Sequence, residues 1–395
     1  MASPRAILIT KGTRGDLVPF LAIGGVLRDA GWEVTLFSHA TYAGLAFAAG
    51  FEFAACDTLL EAQAFMADTD LLESSAGVET FVRRHVLPRT PQEIAALVAL
   101  CRKGRTLFVE HHMSGFAAQC VAELNDVPVV TVYIAASQVH TRCMLDELCM
   151  LRFADEINGA RVRVGLAACG KRAAVRARSD LDVVGWPEWF ANVGGKLPRV
   201  HYAGFLTDGV TEMGELPVAV AELLAEDPRP VLITGGTARW SLAARFYRAA
   251  AEGCAAAGRK AILVTPFPDL PPTPLPAGIA HFERLPLGSV APRVSLMIHH
   301  GGLGATARAL HAGVPQLCMP FGADRPDMAR RLRDAGVART LRPPEWTERE
   351  VADAITALQF DGKLRGVCGA QAARVRSDTG LAQLPHMLTA LLPQA

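Results

Sequence analysis

What the chain lacks narrows its class before anything it contains. A formal net charge of +1, with charged residues at only 20 %, leaves no electrostatic footprint of a nucleic-acid binder, and no nucleic-acid partner is expected. No stretch approaches the ~20 consecutive apolar residues of a membrane span. The N-terminus, MASPRAILITKG, offers only a short apolar run from Ala6 to Thr10 and no cleavage pattern, so a cytoplasmic location is expected. The nine cysteines, at 56, 101, 120, 143, 149, 169, 254, 318 and 368, form no CxxC pair and no tight ligand spacing. They read as reduced thiols acting as small hydrophobes, and neither a metal site nor a disulfide framework is expected. No repeat of short period is visible.

What is present is enough apolar material for full cores: half of 395 residues, a length that by itself suggests two domains or three. Ala6 to Thr10 reads as a buried strand, followed by the turn Lys11-Gly12-Thr13-Arg14-Gly15-Asp16, helical spacing from Val18 to Ala30 and a strand from Glu33 to Phe37. That βαβ unit predicts a parallel, doubly wound sheet. The alternation continues to about Phe205. Leu59 to Arg89 and Thr141 to Arg178 are less regular, as walls or lids of a binding site would be. Leu206 to Asp227 reads as a linker, giving domains 1–207 and 208–395. A second βαβ series begins at Pro230 to Ile233, with its own glycine turn at Gly235-Gly236-Thr237. The fold class is therefore α/β, two tandem Rossmann-like doubly wound domains.

The densest stretch runs from Leu296 to Asp327. A short apolar strand turns through His299-His300-Gly301-Gly302 into a helix starting near Gly304; Gly313 ends the helix, and a second strand, Val314 to Met319, leads to a polar loop from Pro320 to Asp327. Strand, glycine turn and helix N-terminus make an anion site, because paired glycines admit a phosphate to the backbone and the helix start offers unpaired N–H groups. His300 can add a donor. Basic residues cluster from Arg325 to Arg339, which for the last ones reads as a solvated helix face.

His300-Gly301-Gly302, Thr306, Gly313-Val314-Pro315 and the Pro320 to Asp324 loop resemble the donor-sugar motif of GT-B nucleotide-sugar glycosyltransferases, especially the bacterial enzymes that glycosylate natural products. The resemblance covers nearly the whole chain, tightly at Ile9 to Gly31 and Leu285 to Arg325. It implies two domains facing a cleft, an acceptor in the first, a nucleoside diphosphate sugar mainly in the second, and a final helix packed back on the first. It also implies an inverting, metal-independent transfer to a hydroxyl of a small-molecule acceptor, with no cofactor beyond the nucleotide-sugar substrate.

Such a reaction needs a base near the acceptor oxygen, charge compensation for the departing diphosphate and groups that hold the sugar. Asp16 matches the family's base; from spacing alone it reads rather as a cap of the helix that follows, and it is the resemblance that favours catalysis. Thr13 and Arg14, on the same turn, and His111 and His112, at a strand end, are acceptor-side candidates, and His39 lies at another strand end. For the donor, the resemblance implies His300 at the β-phosphate, with Gly301, Gly302, Gly304 and Thr306 around the phosphates. Gly235, Gly236 and Thr237 would lie near the diphosphate, Leu285 near the nucleobase and Asp324 at the sugar hydroxyls. Two positions depart from the pattern: Ala305 stands where a hydroxyl residue is common, and Arg325 where glutamine is common. A guanidinium there suits an anion or several oxygens. Two rivals stay open, a nucleotide-sugar 2-epimerase of the same fold and a catalytically degenerate partner protein. The sequence also leaves a homodimer open.

Overall fold

The computed structural model describes residues 3–68, 77–114, 116–170, 179–207 and 214–393. Contacts divide the chain into two compact units, Met1–Leu206 with Thr379–Ala395, and Thr207–Asp378.

The first unit is built on seven parallel strands in the order β3-β2-β1-β4-β5-β6-β7. They are β1 (Arg5–Ile9), β2 (Glu33–Ser38), β3 (Glu52–Ala55), β4 (Thr106–His111), β5 (Val129–Tyr133), β6 (Leu181–Val184) and β7 (Val200–Tyr202). The central strands are short apolar runs buried along their whole length, as a sheet covered on both faces requires. The helix Gly380–Thr389 belongs to this unit: it packs on the helix Arg14–Asp29, and His201 Nε2 lies 2.8 Å from the Gly380 carbonyl.

The second unit has six parallel strands in the order β10-β9-β8-β11-β12-β13. These are β8 (Val231–Thr234), β9 (Ala261–Val264), β10 (Ile279–Phe282), β11 (Leu296–His299), β12 (Gln316–Cys318) and β13 (Ala338–Thr340). Strand order reverses beside β1 in one sheet and beside β8 in the other. In open α/β sheets ligands bind at such switch points, outside the C-terminal ends of the strands. The turns after β1 and β4, and after β8 and β11, occupy those places.

Three sequence expectations need correction. Thr141 to Arg178 is not irregular where it is described: Ala136–Arg163 is one helix with a break at Phe153. The segment read as a linker contains the helix Val218–Ala225, which buries Val220 and Leu224 against β8 and β9. The polar loop ends early, because Asp324 is already the N-cap of the helix Arg325–Asp334. Residues 69–76 of Leu59 to Arg89, 171–178 of Thr141 to Arg178 and 208–213 of the linker reading lie outside the described residues.

Candidate functional site

In the second unit β8 and β11 are hydrogen-bonded neighbours, with His299 opposite Thr234. Their following turns therefore lie side by side. His300 sits where both turns leave no room for a side chain other than its own. A methyl group on Gly236 would lie 2.8 Å from His300 Cε1, and one on Gly302 would lie 2.7 Å from Nε2. The ring is 8 % exposed, and its Nδ1 has no hydrogen-bond partner among the described residues. Burial, then the Arg325 guanidinium and His299, hold its pKa well below the ordinary value against an opposing hydrogen bond at the Thr234 backbone, so the imidazole is neutral at pH 7. His299 is structural: its Nε2 meets Gln316 Oε1 at 2.9 Å, its Nδ1 accepts from Gly301 N at 3.1 Å, and burial lowers its pKa to about 4.

The helix Leu303–Ala312 starts at Gly302 with no side-chain cap and no acidic residue in its first turn, leaving its N–H groups and partial positive charge uncontested by side chains. Arg308 comes close enough that a methyl on Gly304 would lie 2.7 Å from its Nη1. Thr306 is 0 % exposed and its Oγ1 finds no partner among the described residues; Ala305 is buried beside it.

Asp324 and Arg325 follow a strained turn in which Ala323 takes φ 48°, unusual for a residue with a side chain. Asp324 makes no side-chain cap hydrogen bond, and burial raises its pKa although Arg325 opposes this. Arg325 is 9 % exposed; its Nη1 donates to the Phe321 carbonyl at 2.8 Å and its guanidinium lies 5.4 Å from the Trp240 ring centroid. Trp240 also stacks with Phe321 and His300, at 5.8 and 6.4 Å between centroids, and reaches the Gly235 carbonyl with Nε1 at 3.4 Å. This tryptophan joins His300, Arg325 and the Gly235 turn into one cluster. The sequence reading missed it, although a tryptophan close behind a glycine turn was a usable signal. Thr237 is exposed on the same turn, and Leu285, just beyond β10, packs partly on the core.

In the first unit Asp16 is not a residue before the helix but the third residue within it. Thr13 is the N-cap, and Asp16 Oδ2 accepts from Thr13 N at 2.7 Å and from Thr13 Oγ1 at 3.0 Å, closing a capping box. Asp16 and Arg14 stay partly exposed on that turn. His111 and His112 are placed differently from the acceptor-side expectation: they are 4 % and 5 % exposed, packed edge to face on one another, with Phe20 beside His111 and Tyr133 stacked on His112. Next to the Asp16 turn, Lys11 Nζ lies 2.6 Å from both Glu93 carboxylate oxygens in a buried pair. A separate cavity of about 340 Å³ lies between Leu87, Phe116, Ile157 and Arg163, and none of the candidate residues lines it.

Residues 267–389 match the family described as Erythromycin biosynthesis protein CIII-like, C-terminal domain. A curated relative, the O-mycaminosyltylonolide 6-deoxyallosyltransferase of Streptomyces fradiae, is 27 % identical over 88 % of this chain and 87 % of its own. This chain is a GT-B glycosyltransferase. The solved structure of the glycotransferase of kitacinnamycin superposes on the enzyme with a TM-score of 0.75 at 18 % identity, covering all of both chains. SsfS6 of Streptomyces sp. SF2575, solved with thymidine diphosphate, gives 0.69 at 20 % identity over 98 % of this glycosyltransferase and 99 % of SsfS6. No helix among the described residues of the enzyme is long and apolar enough to cross a membrane.

Proposed function

We propose that this glycosyltransferase moves a sugar from a nucleoside diphosphate, a thymidine diphosphate carrier being the first to try, onto a hydroxyl of a small natural-product acceptor, with inversion. Asp16 takes the acceptor proton. The oxygen attacks the anomeric carbon from the face opposite the leaving group, and the released diphosphate is met by the second unit's glycine turns. The observation that carries this reading is the composition of that anion site. The buried imidazole of His300 is neutral there, and the positive charge comes from Arg325 and the uncapped start of the helix Leu303–Ala312; in this reading the imidazole turns its N–H to the departing diphosphate. Backbone N–H groups from Gly302 to Ala305 stand in for the missing hydroxyl at 305, and Asp324 takes sugar hydroxyls. Thr13 and Arg14 face the acceptor.

The same reading assigns charge compensation to these groups rather than to a metal, and it needs no cofactor. His39, Cys56 and Asp57 have ligand atoms clustered within 4.8 Å, but they fit a metal poorly. Both His39 nitrogens are already hydrogen-bonded, and burial pushes the Cys56 thiol up to about 12, whereas a metal needs the thiolate. The test is a transfer assay with thymidine diphosphate sugars and a panel of polyketide alcohols in excess chelator. The expected product carries the anomeric configuration opposite to the donor, read by proton NMR, at an undiminished rate. Retention, or a rate lost to the chelator and restored by a divalent cation, would contradict the proposal.

A further inference from the structure

We infer that His39, held by Asp57, is a positioning residue that fixes the Gly12–Asp16 turn and so aims the Asp16 carboxylate; the inference rests on the reading of Asp16 as the base. His39 follows β2, Asp57 follows β3 and the turn follows β1, three adjacent strands whose C-terminal ends meet here. Gly12 N donates to His39 Nε2 at 3.0 Å, and the Gly12 carbonyl accepts from Tyr42 Oη at 3.0 Å. Both polar backbone atoms of Gly12 are thus held by side chains from outside the turn rather than by a sheet or helix ladder.

The grip on Gly12 passes directly to Asp16. Gly12 has φ +142°, and a methyl group there would collide with Asp16 Oδ2. The carboxylate therefore lies against the Cα of Gly12, and the next residue, Thr13, donates its N–H to the same oxygen at 2.7 Å. Moving Gly12 moves the carboxylate.

The imidazole is itself set in one tautomer. With Nε2 accepting from Gly12, the proton resides on Nδ1, which lies 2.6 Å from Asp57 Oδ2; the other Asp57 oxygen accepts from Ala40 N at 2.8 Å. Burial works against the Asp57 anion, yet the His39 and Ala40 hydrogen bonds hold its carboxyl below the ordinary value. Phe65 lies along the ring at 4.6 Å and Tyr42 meets it edge-on at 6.2 Å. A filler histidine would need none of this directionality. Here an ionised carboxylate fixes which nitrogen is left to accept from the turn, a second-sphere arrangement of the kind that orients catalytic groups.

Two substitutions separate positioning from packing. His39→Gln keeps an acceptor near the place of Nε2, whereas His39→Asn keeps the link to Asp57 but falls short of Gly12. The test compares kcat, donor KM and melting temperature for both variants and for Asp16→Asn in the full chain. His39→Asn is expected to lose roughly 10- to 100-fold in kcat, as a misplaced catalytic group does, with donor KM within about 2-fold because the turn acts on chemistry rather than donor affinity. His39→Gln is expected to recover most of that loss at a similar melting temperature. Equal kcat for the two variants, or a loss confined to donor KM, would overturn the positioning role even with Asp16→Asn inactive. An active Asp16→Asn would overturn the Asp16 reading and this inference with it.

Discussion

Asp16→Asn is expected to transfer sugar about 10² to 10⁴ times more slowly than the wild-type enzyme, the range lost with a general base. The substitution isolates proton transfer because asparagine keeps an oxygen that can accept from Thr13 N, so the capping box is weakened rather than removed. Loss of the negative charge from the first helical turn costs about 0.3–1 kcal/mol, too little to unfold the unit. Asp16 lies in the first unit and the glycine turns in the second, so affinity for the nucleoside diphosphate should stay unchanged. The check is kcat at saturating donor together with isothermal titration of the nucleotide. A variant within a few-fold of wild type would leave Asp16 as a helix cap and nothing more.

His300→Ala is expected to cost roughly 10²- to 10³-fold in kcat, the usual effect of removing one fixed donor from a site of developing negative charge. Gly236→Ala should reproduce much of that loss without removing any functional group, since its methyl would take the space of the imidazole 2.8 Å away. Arg325→Gln should act on the ground state as well. Loss of a charge-assisted contact worth about 1.5–3 kcal/mol predicts roughly 10- to 100-fold weaker binding of the diphosphate, with the uncharged nucleoside unaffected. Unchanged diphosphate affinity with a raised donor KM would move Arg325 from the phosphates to the sugar.

The neutral state of His300 sets the pH behaviour. Its pKa already lies well below 6.5, so lowering the pH from 8 to 6 should not titrate it, and His300→Ala should leave the shape of the pH–rate profile in that window unchanged. Stability follows the sign of the same shift. For His299 the unfolded chain binds a proton near pH 6.5 that the folded chain refuses until about 4. That contribution is complete above about 6.5 and is lost progressively as the pH falls towards about 4.

Both sheets were legible because parallel strands buried on two faces are short unbroken apolar runs, and glycine turns mark where they end. RAILI and LMIH could hardly be anything else. The helix Ala136–Arg163 was not legible: its mixed charge and mid-helix break blur the apolar stripe that would announce it. The helix Val218–Ala225 hid behind the glycine, glutamate and proline that precede it. At the candidate site, residues adjacent in sequence to a glycine turn could be named in advance. Those brought there by pairing of distant strands could not. Nothing near His39 in the sequence points to Asp57 as the group that sets its tautomer, and nothing near Arg325 points to Trp240 as the ring beneath it. The paired His111 and His112 looked available at a strand end, yet ring packing with Phe20 and Tyr133 encloses them.

The most direct test of the account is the melting temperature of the purified enzyme with thymidine, uridine and guanosine diphosphates, and with the matching nucleosides, because a ligand that binds only the folded state raises it. A clear rise is expected with one diphosphate, no rise with its nucleoside, and loss of the rise in Arg325→Gln. No shift with any diphosphate at millimolar concentration would contradict the assignment of the His300 turn as the donor site.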